Sequence, residues 1–306
     1  MANTNGWGDG ASNNDIGWGQ GADNAIGWGS VYSVSSAGST DIIGSVPATP
    51  LLLDTYTDAA VAYSLRKLRT DYLGNAIRVR RSSDNAEQDI AFSGNDLDTA
   101  SLLTFCGAGN GFITTWYDQS TNANNSTQAT AANQAQIVSS GALILDAITG
   151  KITTTWTADS YTLTNLITTV QLMYHYMVFN RTSNSQAVNG LTKSSTTAPT
   201  MLRWFATTGE MRSYISTAIL HSTNTATGSN LITTLRDSSN VVKMFRNNVA
   251  LTTGVSSNVG ATFDNWGNAN ASRNFGNFAE LVHWNSDQEA NRTGIETNVN
   301  TYWNAY

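Results

Sequence analysis

Six carboxylates lie in or beside segments that we predict to be β-strands: Asp118, Asp146, Asp159, Glu210, Asp264 and Glu280. Glycoside hydrolysis needs two carboxyl groups facing one sugar, about 5–5.5 Å apart for retention and about 6.5–9.5 Å apart for inversion. Any two of the six could meet across a sheet, and the sequence does not select a pair. Asp118 also has a simpler interpretation, because it ends a strand and can cap the following turn. Glu280 falls in the last strand, where we expect it to face solvent or the terminal helix.

Signatures of other chemistry are missing from the sequence. The single cysteine, Cys106, excludes an internal disulfide framework and a cysteine-based zinc site. The three histidines, His175, His221 and His283, have no ligand spacing. There is no Gly-x-Ser-x-Gly elbow, phosphate-binding loop or calcium loop. We therefore expect no metal, no cofactor and no catalytic activity.

The chain could also bind a carbohydrate without cleaving it. Aromatic rings beside amides and carboxylates form sugar platforms, but aromatic residues in strands usually pack inward. Trp266 differs, because it lies in the loop-like run Phe263-Asp264-Asn265-Trp266-Gly267-Asn268. We expect this ring at the surface, and we predict a glycan-binding set of Trp266, Asp264, Asn265 and Asn268.

A Gly-Trp-Gly repeat occupies the first 30 residues. Its tryptophans are Trp7, Trp18 and Trp28, and the last two repeats are preceded by Ile16 and Ile26. The spacing of about ten residues is too short for a repeat that packs its own core. Because tryptophan is enriched at binding hot spots, we predict that these five residues dock on a partner. A disordered leader and a strip folded back on its own domain remain the alternatives.

The remainder of the chain has the pattern of a β-sandwich. Two of the three prolines, Pro47 and Pro50, follow a Ser/Ala/Gly-rich stretch, so we divide the chain into an attachment segment with its linker, residues 1–46, and a domain, residues 47–306. In the domain we predict helices over 58–68 and 98–105, the second capped by Asp98. We also predict a C-terminal helix that is capped by Ser286 and Glu289 and has Ile295, Val299 and Tyr302, joined by Trp303, on its apolar face. In 76–81, Ile77 and Val79 alternate with Arg78 and Arg80, which predicts a half-buried strand. The other predicted strands, separated by Gly, Asn, Ser and Thr, are 112–117, 143–145, 151–156, 171–179, 200–205, 211–215, 231–236, 241–246 and 278–284.

The net charge, the apolar runs and the first residues indicate which partners and which location to expect. The formal net charge is −6 and the isoelectric point is about 4.9, so we do not expect nucleic-acid binding. No apolar run is long enough to cross a membrane, and the first residues are not a secretory signal. We therefore expect a protein made in the cytoplasm.

Four motifs carry a resemblance to a known family. Residues 51–65, 77–81, 89–92 and 112–120 together resemble the first half of the catalytic domain of fungal-type α-L-arabinofuranosidase B, and Tyr117-Asp118-Gln119-Ser120 is the most specific block. The order of elements agrees over residues 51–138, and the resemblance implies a concanavalin-like β-sandwich. The chain departs from the family after Ser120 and lacks its cysteine pairs. The resemblance therefore does not place a nucleophile or an acid/base residue.

The end of the chain is similar to other jelly rolls. Residues 278–282 and 287–292 resemble the last strand and helix of laminin-G-like domains, which are common in bacterial and phage surface proteins. Gly-Trp-Gly repeats ahead of such a domain are similar to those of phage structural proteins.

We thus predict an all-β, concanavalin-like jelly-roll β-sandwich with short peripheral helices and a C-terminal helix, preceded by an extended N-terminal segment. The predicted function is that of a non-enzymatic bacteriophage virion protein, a fibre, decoration or appendage of the head or tail. Its residues 1–46 would bind other virion proteins, and its domain would bind a host cell-surface glycan. We expect a homotrimer or homodimer, because avidity multiplies weak sugar contacts. The alternatives are an arabinofuranosidase-like glycoside hydrolase and a bacterial carbohydrate-binding module.

Overall fold

The computed structural model describes residues 50–183, 187–193, 200–205, 208–215, 217–223, 227–257, 259–269 and 272–306. The docking residues Trp7, Ile16, Trp18, Ile26 and Trp28 lie outside these ranges, so their role stays a prediction.

Antiparallel strands make up about half of the described chain. The strands are β1 Ala59–Ser64, β2 Ile77–Arg81, β3 Glu87–Ile90, β4 Phe92–Ser93, β5 Asp96–Leu97, β6 Gly111–Trp116, β7 Ser126–Thr127, β8 Gln136–Ser139, β9 Ala142–Leu143, β10 Thr154–Asp159, β11 Tyr161–Thr169, β12 Met173–Arg181, β13 Val188–Asn189, β14 Leu191–Thr192, β15 Thr200–Trp204, β16 Glu210–Tyr214, β17 Ala218–Thr223, β18 Gly228–Arg236, β19 Val241–Arg246, β20 Val249–Ala250, β21 Gly254–Val255, β22 Ala261–Trp266, β23 Asn268–Ala269 and β24 Ser272–Trp284. The helices are α1 Leu52–Thr55, α2 Thr99–Cys106 and α3 Arg292–Trp303, with 3-10 turns at Ala131–Asn133 and Glu289–Asn291. This all-β sandwich with a C-terminal helix confirms the predicted fold class.

Two layers of strands enclose the core. The back layer runs β1–β24–β12–β18–β19, each strand antiparallel to its neighbour. The front layer runs β3–β2–β6–β7–β11–β22–β14–β15–β16–β17. Strands β8 and β10 connect β6 with β24. Tyr63 of the back layer stacks on Trp266 of the front layer, with ring centroids 5.7 Å apart.

The predicted first helix, 58–68, is wrong. Its residues form β1, which pairs with the last long strand: Ala62 lies opposite Val282 and Tyr63 opposite Leu281. The apolar residues of this segment suit a helical face, but they lie in a strand that is covered on both faces: every residue of β1 is buried except Ala60, which is half-buried. Only the four residues of α1, just before it, are helical.

Helix α2 agrees with its prediction, since the Asp98 carboxylate accepts the Ser101 amide at 3.0 Å. The predicted face of α3 is confirmed at Ile295, Val299 and Trp303, which are buried, whereas Tyr302 is only half-buried. Its predicted capping box is wrong. The α-helix begins at Arg292, and the Glu289 carboxylate instead bonds Lys243 Nζ at 2.6 Å.

Candidate functional site

Trp266 does not lie in a loop or at the surface. It ends strand β22 and is fully buried, and its ring contacts Trp156 at 4.9 Å and Trp116 at 5.2 Å between centroids. The prediction of an exposed platform is therefore wrong, because the antiparallel pairing of Trp266 with Tyr161 turns its ring into the core. The side chain of Asn268, another predicted binding residue, lies outside the described part of the structure.

The two preceding residues, Asp264 and Asn265, lie where the front layer is irregular. Asn265 pairs with Thr162 of β11, whereas Phe263 pairs with Ile167, so residues 163–166 of β11 stand opposite Asp264 alone. A bulge of this kind bends its strand away from the partner, and bulges are frequent beside active sites. Asp264 is consequently half-buried at an interruption of the sheet.

Residues 118–125 hold this bulge in place. The backbone amide of Asn165, in the bulge, donates to Asn124 Oδ1 at 2.7 Å, and Asn124 Nδ2 donates to the Asn165 carbonyl at 2.9 Å. The Thr164 amide and hydroxyl both donate to the Asn125 carbonyl. The bulge is therefore tied to a neighbouring loop by backbone and amide hydrogen bonds on both of its central residues.

Asp118 organises that loop from inside. Its Oδ1 accepts the Ala62 and Ser120 amides at 2.8 and 2.9 Å, and its Oδ2 accepts the Asn124 amide at 2.9 Å and the Ser120 hydroxyl at 2.7 Å. Burial raises the pKa of Asp118, and the bonds from Ser120, Asn124 and Ala62 oppose that shift. The prediction that Asp118 caps the following turn is confirmed. Its carboxylate is a scaffold group, since all of its described contacts are within the loop and β1.

Strand β14 borders the site on the other side. Thr192 pairs with Asn265, so the next residue, Lys193, follows beside Asp264. Lys193 Nζ donates to Thr262 Oγ1 at 3.2 Å, on the same strand as Asp264. A carboxylate, an ammonium and an amide thus lie on two neighbouring strands next to the bulge.

Asn265 contributes an acceptor that has no donor. Its side chain is 4% exposed, and in the described part of the chain its Oδ1 has no hydrogen-bond partner. Buried polar atoms are usually paired, and an unpaired one calls for an explanation such as a ligand or an ordered water. The predicted pair Asp264 and Asn265 is therefore brought together here, without Trp266.

The remaining candidate carboxylates each have a structural role. The structure describes every Asp and Glu that follows residue 49, so all six candidate carboxylates can be placed. Asp146 accepts the Ile148 and Thr149 amides of its own turn, Asp159 accepts the Thr157 amide at 2.6 Å, and Glu210 pairs with Arg212 at 2.8 Å.

Glu280 lies at the centre of a buried hydrogen-bond network. It is fully buried, and it accepts hydrogen bonds from Arg66, Ser64, Tyr176 and Trp303. Burial alone would raise its pKa, but Arg66 and the hydroxyl donors bring it below the ordinary value. Of the alternatives expected for Glu280, the structure selects contact with the terminal helix, through Trp303 of α3.

The described residues contain neither a metal-binding cluster nor a membrane-spanning helix. No group of three or more His, Cys, Asp or Glu side chains in the described ranges could hold a metal ion. Among the helices of those same ranges, none is long and apolar enough to cross a membrane.

Comparison with known proteins relates this sandwich to one family. The model of the catalytic domain of α-L-arabinofuranosidase B matches residues 53–191. The chain is a β-sandwich related to that catalytic domain. The match includes the Asp118 loop and the bulge, but it ends at Leu191, the first residue of β14, before Lys193 and Asp264. No curated protein matches the chain.

Solved structures agree at the level of the fold. An arabinofuranosidase complexed with arabinofuranosyl-α-1,2-xylobiose shares 15% identity with a TM-score of 0.62. A mutant of a glycoside hydrolase family 54 α-L-arabinofuranosidase, soaked with 4-nitrophenyl α-L-arabinofuranoside, shares 17% identity with a TM-score of 0.58. Each alignment covers 81% of this chain and 64% of the other, so the chain spans less than two thirds of those proteins.

These comparisons correct the functional prediction. We expected a non-enzymatic phage structural protein, but the matched model is that of a catalytic domain, and it supports the glycoside hydrolase that we held as the alternative. The phage interpretation depended on the Gly-Trp-Gly repeats, which lie outside the described residues, and on the terminal strand and helix, which belong to the fold and do not indicate an activity.

Proposed function

We propose that this chain is a glycoside hydrolase domain that removes α-L-arabinofuranosyl groups. The observation that carries the proposal is the match of an arabinofuranosidase catalytic domain to residues 53–191. The structural similarity to two arabinofuranosidases supports the fold on which such a site would be built.

Asp264 is our candidate for one of the two catalytic carboxyl groups. It is half-buried at the β11 bulge, on the strand that carries Asn265 and next to the strand that leads to Lys193. A carboxyl group there can exchange a proton with the glycosidic oxygen or act on the anomeric carbon of a furanosyl ring held over the bulge. Lys193 and Asn265 would then hold the sugar hydroxyls by donating and accepting hydrogen bonds.

The test is hydrolysis of 4-nitrophenyl α-L-arabinofuranoside by the full chain and by Asp264→Asn. We expect nitrophenolate release from the wild type, and a fall in kcat/KM of about 100-fold or more in the variant, the usual contribution of a proton-transfer group. Asp71→Asn is the matched control, because Asp71 is an exposed carboxylate that bonds only Arg69 among the described residues.

Three outcomes separate the possibilities. No release by the folded wild type would contradict the hydrolase proposal. Release by the wild type and equally by Asp264→Asn would place the catalytic carboxyl elsewhere. Equal release from the α-L-arabinopyranoside would contradict the furanose specificity.

A further inference from the structure

A line of polar side chains crosses the front layer and ends at the candidate site. Direct strand pairing links Asp89 of β3 to Arg78 of β2, Arg78 to Thr115 of β6, and Thr115 to Thr127 of β7. The line continues from Thr127 to Thr162 of β11 and from there to Asn265. Because directly opposed residues share one face of a sheet, all these side chains project on the same side.

The three central residues, which we call the threonine row (Thr115, Thr127 and Thr162), are open to solvent. Thr127 and Thr162 are exposed and Thr115 is half-buried. None of the three hydroxyls makes a hydrogen bond within the described part of the protein. At about 4.8 Å per strand, the line from Asp89 to Asn265 is about 24 Å long.

The two ends of the line differ. At the far end, the Tyr117 hydroxyl donates to Asp89 Oδ1 at 2.6 Å, and Arg78 lies 3.4 Å from the same oxygen and 2.7 Å from Glu87. At the near end is Asn265, whose buried Oδ1 has no donor among the described residues. At the Asp89 end the charged side chains are therefore paired with each other, whereas at the Asn265 end a buried amide oxygen lacks a hydrogen-bond donor among the described residues.

The chemistry of this surface indicates its ligand. A protein partner is recognised through an apolar, largely aromatic centre, and the threonine row has none. A nucleic acid needs several cations along the contact, whereas Arg78 is the only cation among the six residues of the line and is paired with Glu87 and Asp89. Each of the three central strands carries one threonine hydroxyl of the row, which can both donate and accept a hydrogen bond. Such a surface suits a neutral polymer that is itself rich in hydroxyl groups.

We propose that the threonine row binds the main chain of a neutral polysaccharide, laid across the strands so that an arabinofuranosyl branch reaches Asp264. The inference rests on the proposed function for the identity of the branch. Binding of the main chain by the row does not depend on catalysis and is tested separately.

The test compares the wild type with the triple variant Thr115→Val/Thr127→Val/Thr162→Val. Valine keeps the shape and strand preference of threonine and removes the hydroxyl. Thr168→Val is the matched control, since Thr168 is exposed on the same strand beyond the bulge. Thermal unfolding of all four proteins, including Asp264→Asn, verifies the fold.

With soluble arabinoxylan as the probe, we expect the triple variant to raise KM about tenfold or more, equivalent to about 1.4 kcal/mol. Its kcat/KM on 4-nitrophenyl α-L-arabinofuranoside should stay within about twofold, because the small substrate does not reach the row. The proposal would be overturned if the triple variant had an unchanged KM for arabinoxylan, or if its kcat/KM fell equally on arabinoxylan and on 4-nitrophenyl α-L-arabinofuranoside.

A binding measurement keeps the inference independent of hydrolysis. In affinity gel electrophoresis with arabinoxylan, we expect the polymer to retard the wild type, Asp264→Asn and Thr168→Val, but not the triple variant. This result would support the row even if the wild type released no arabinose. Equal retardation of wild type and triple variant, or none of the wild type, would refute it.

Discussion

Two buried histidines predict that the fold loses stability in mild acid. His175 and His283 are directly paired on β12 and β24, with ring centroids 5.9 Å apart, and both are essentially unexposed. His283 Nε2 bonds Asn285 Oδ1 at 3.0 Å, and its ring packs on Phe263 at 5.6 Å. Burial lowers the pKa of His175 well below its ordinary value, and it lowers the pKa of His283 from 6.5 to about 4.

The size of the effect follows from the shift at His283. Because its folded-state pKa lies below 6.5, the unfolded chain binds this proton first as the pH falls. Stability that is present above about pH 6.5 is therefore lost between there and pH 4. Linkage gives about 3 kcal/mol for the full shift, of which about 2 kcal/mol is already lost at pH 5. His175 adds to the loss in the same direction.

The assay is urea unfolding of the wild type and of His283→Gln at pH 7 and pH 5. Glutamine does not titrate in this range and can still donate to Asn285. Burial raises the pKa values of Asp118 and Glu296, which favours folding as the pH falls, but these groups are common to both proteins and cancel in the comparison. We expect the variant to lose about 2 kcal/mol less than the wild type between the two pH values.

A matched control is His221→Gln. His221 is buried and its pKa is also lowered, but the bond to the Thr252 carbonyl opposes the shift, so its substitution should change the pH dependence less. The reasoning is refuted if wild type and His283→Gln lose the same free energy of unfolding from pH 7 to pH 5.

Two further predictions concern the buried carboxylates. Removing the acceptor in Asp118→Ala leaves the Ala62, Ser120 and Asn124 amides unpaired, and we expect a loss of about 3 kcal/mol or more in chemical denaturation; a loss below about 1 kcal/mol would contradict its scaffold role. Arg66→Met alone strands the buried Glu280 charge and should cost about 3–5 kcal/mol, whereas Arg66→Met/Glu280→Leu should recover a large part of that loss in thermal unfolding. A double variant no more stable than the single one would show that the remaining donors to Glu280 matter more than the ion pair.

Periodicity was enough to predict the strands that lie regularly in the sandwich. The alternation of Ile77 and Val79 with Arg78 and Arg80 predicts the inward and outward faces of β2, and the structure shows them. The Asp98 cap and the apolar face of α3 depend only on local spacing and were also predicted. Strand β1 was mistaken for a helix because nearly all of its residues are buried, so it lacks the alternation of a strand with one solvent face, and its partner β24 lies more than 200 residues away in the chain.

The site strands were the hardest to predict. Segment 161–169 was not predicted as a strand, although Tyr161 and Leu163 alternate with Thr162 and Thr164, because the bulge interrupts the period after four residues. Strand β22 was interpreted as a loop, since Asp, Asn and Gly cluster around Trp266. Polar residues in these two strands weaken the strand signal, and they are the residues that line the site. The alternation in 161–164 was the signal that could have revealed it.

Asp264 lies outside the part of the chain that matches the family. The matched residues, 53–191, contribute the Asp118 loop and the β11 bulge, which form one wall of the site, whereas Lys193 lies just beyond the match. The candidate catalytic carboxylate comes from β22, which enters between β11 and β14 from outside the match. A related domain could therefore retain this wall and still differ in the group that reacts. Substitution at Asp264 is for this reason more informative about activity than any change in the better matched Tyr117–Ser120 block, whose loss would first affect folding.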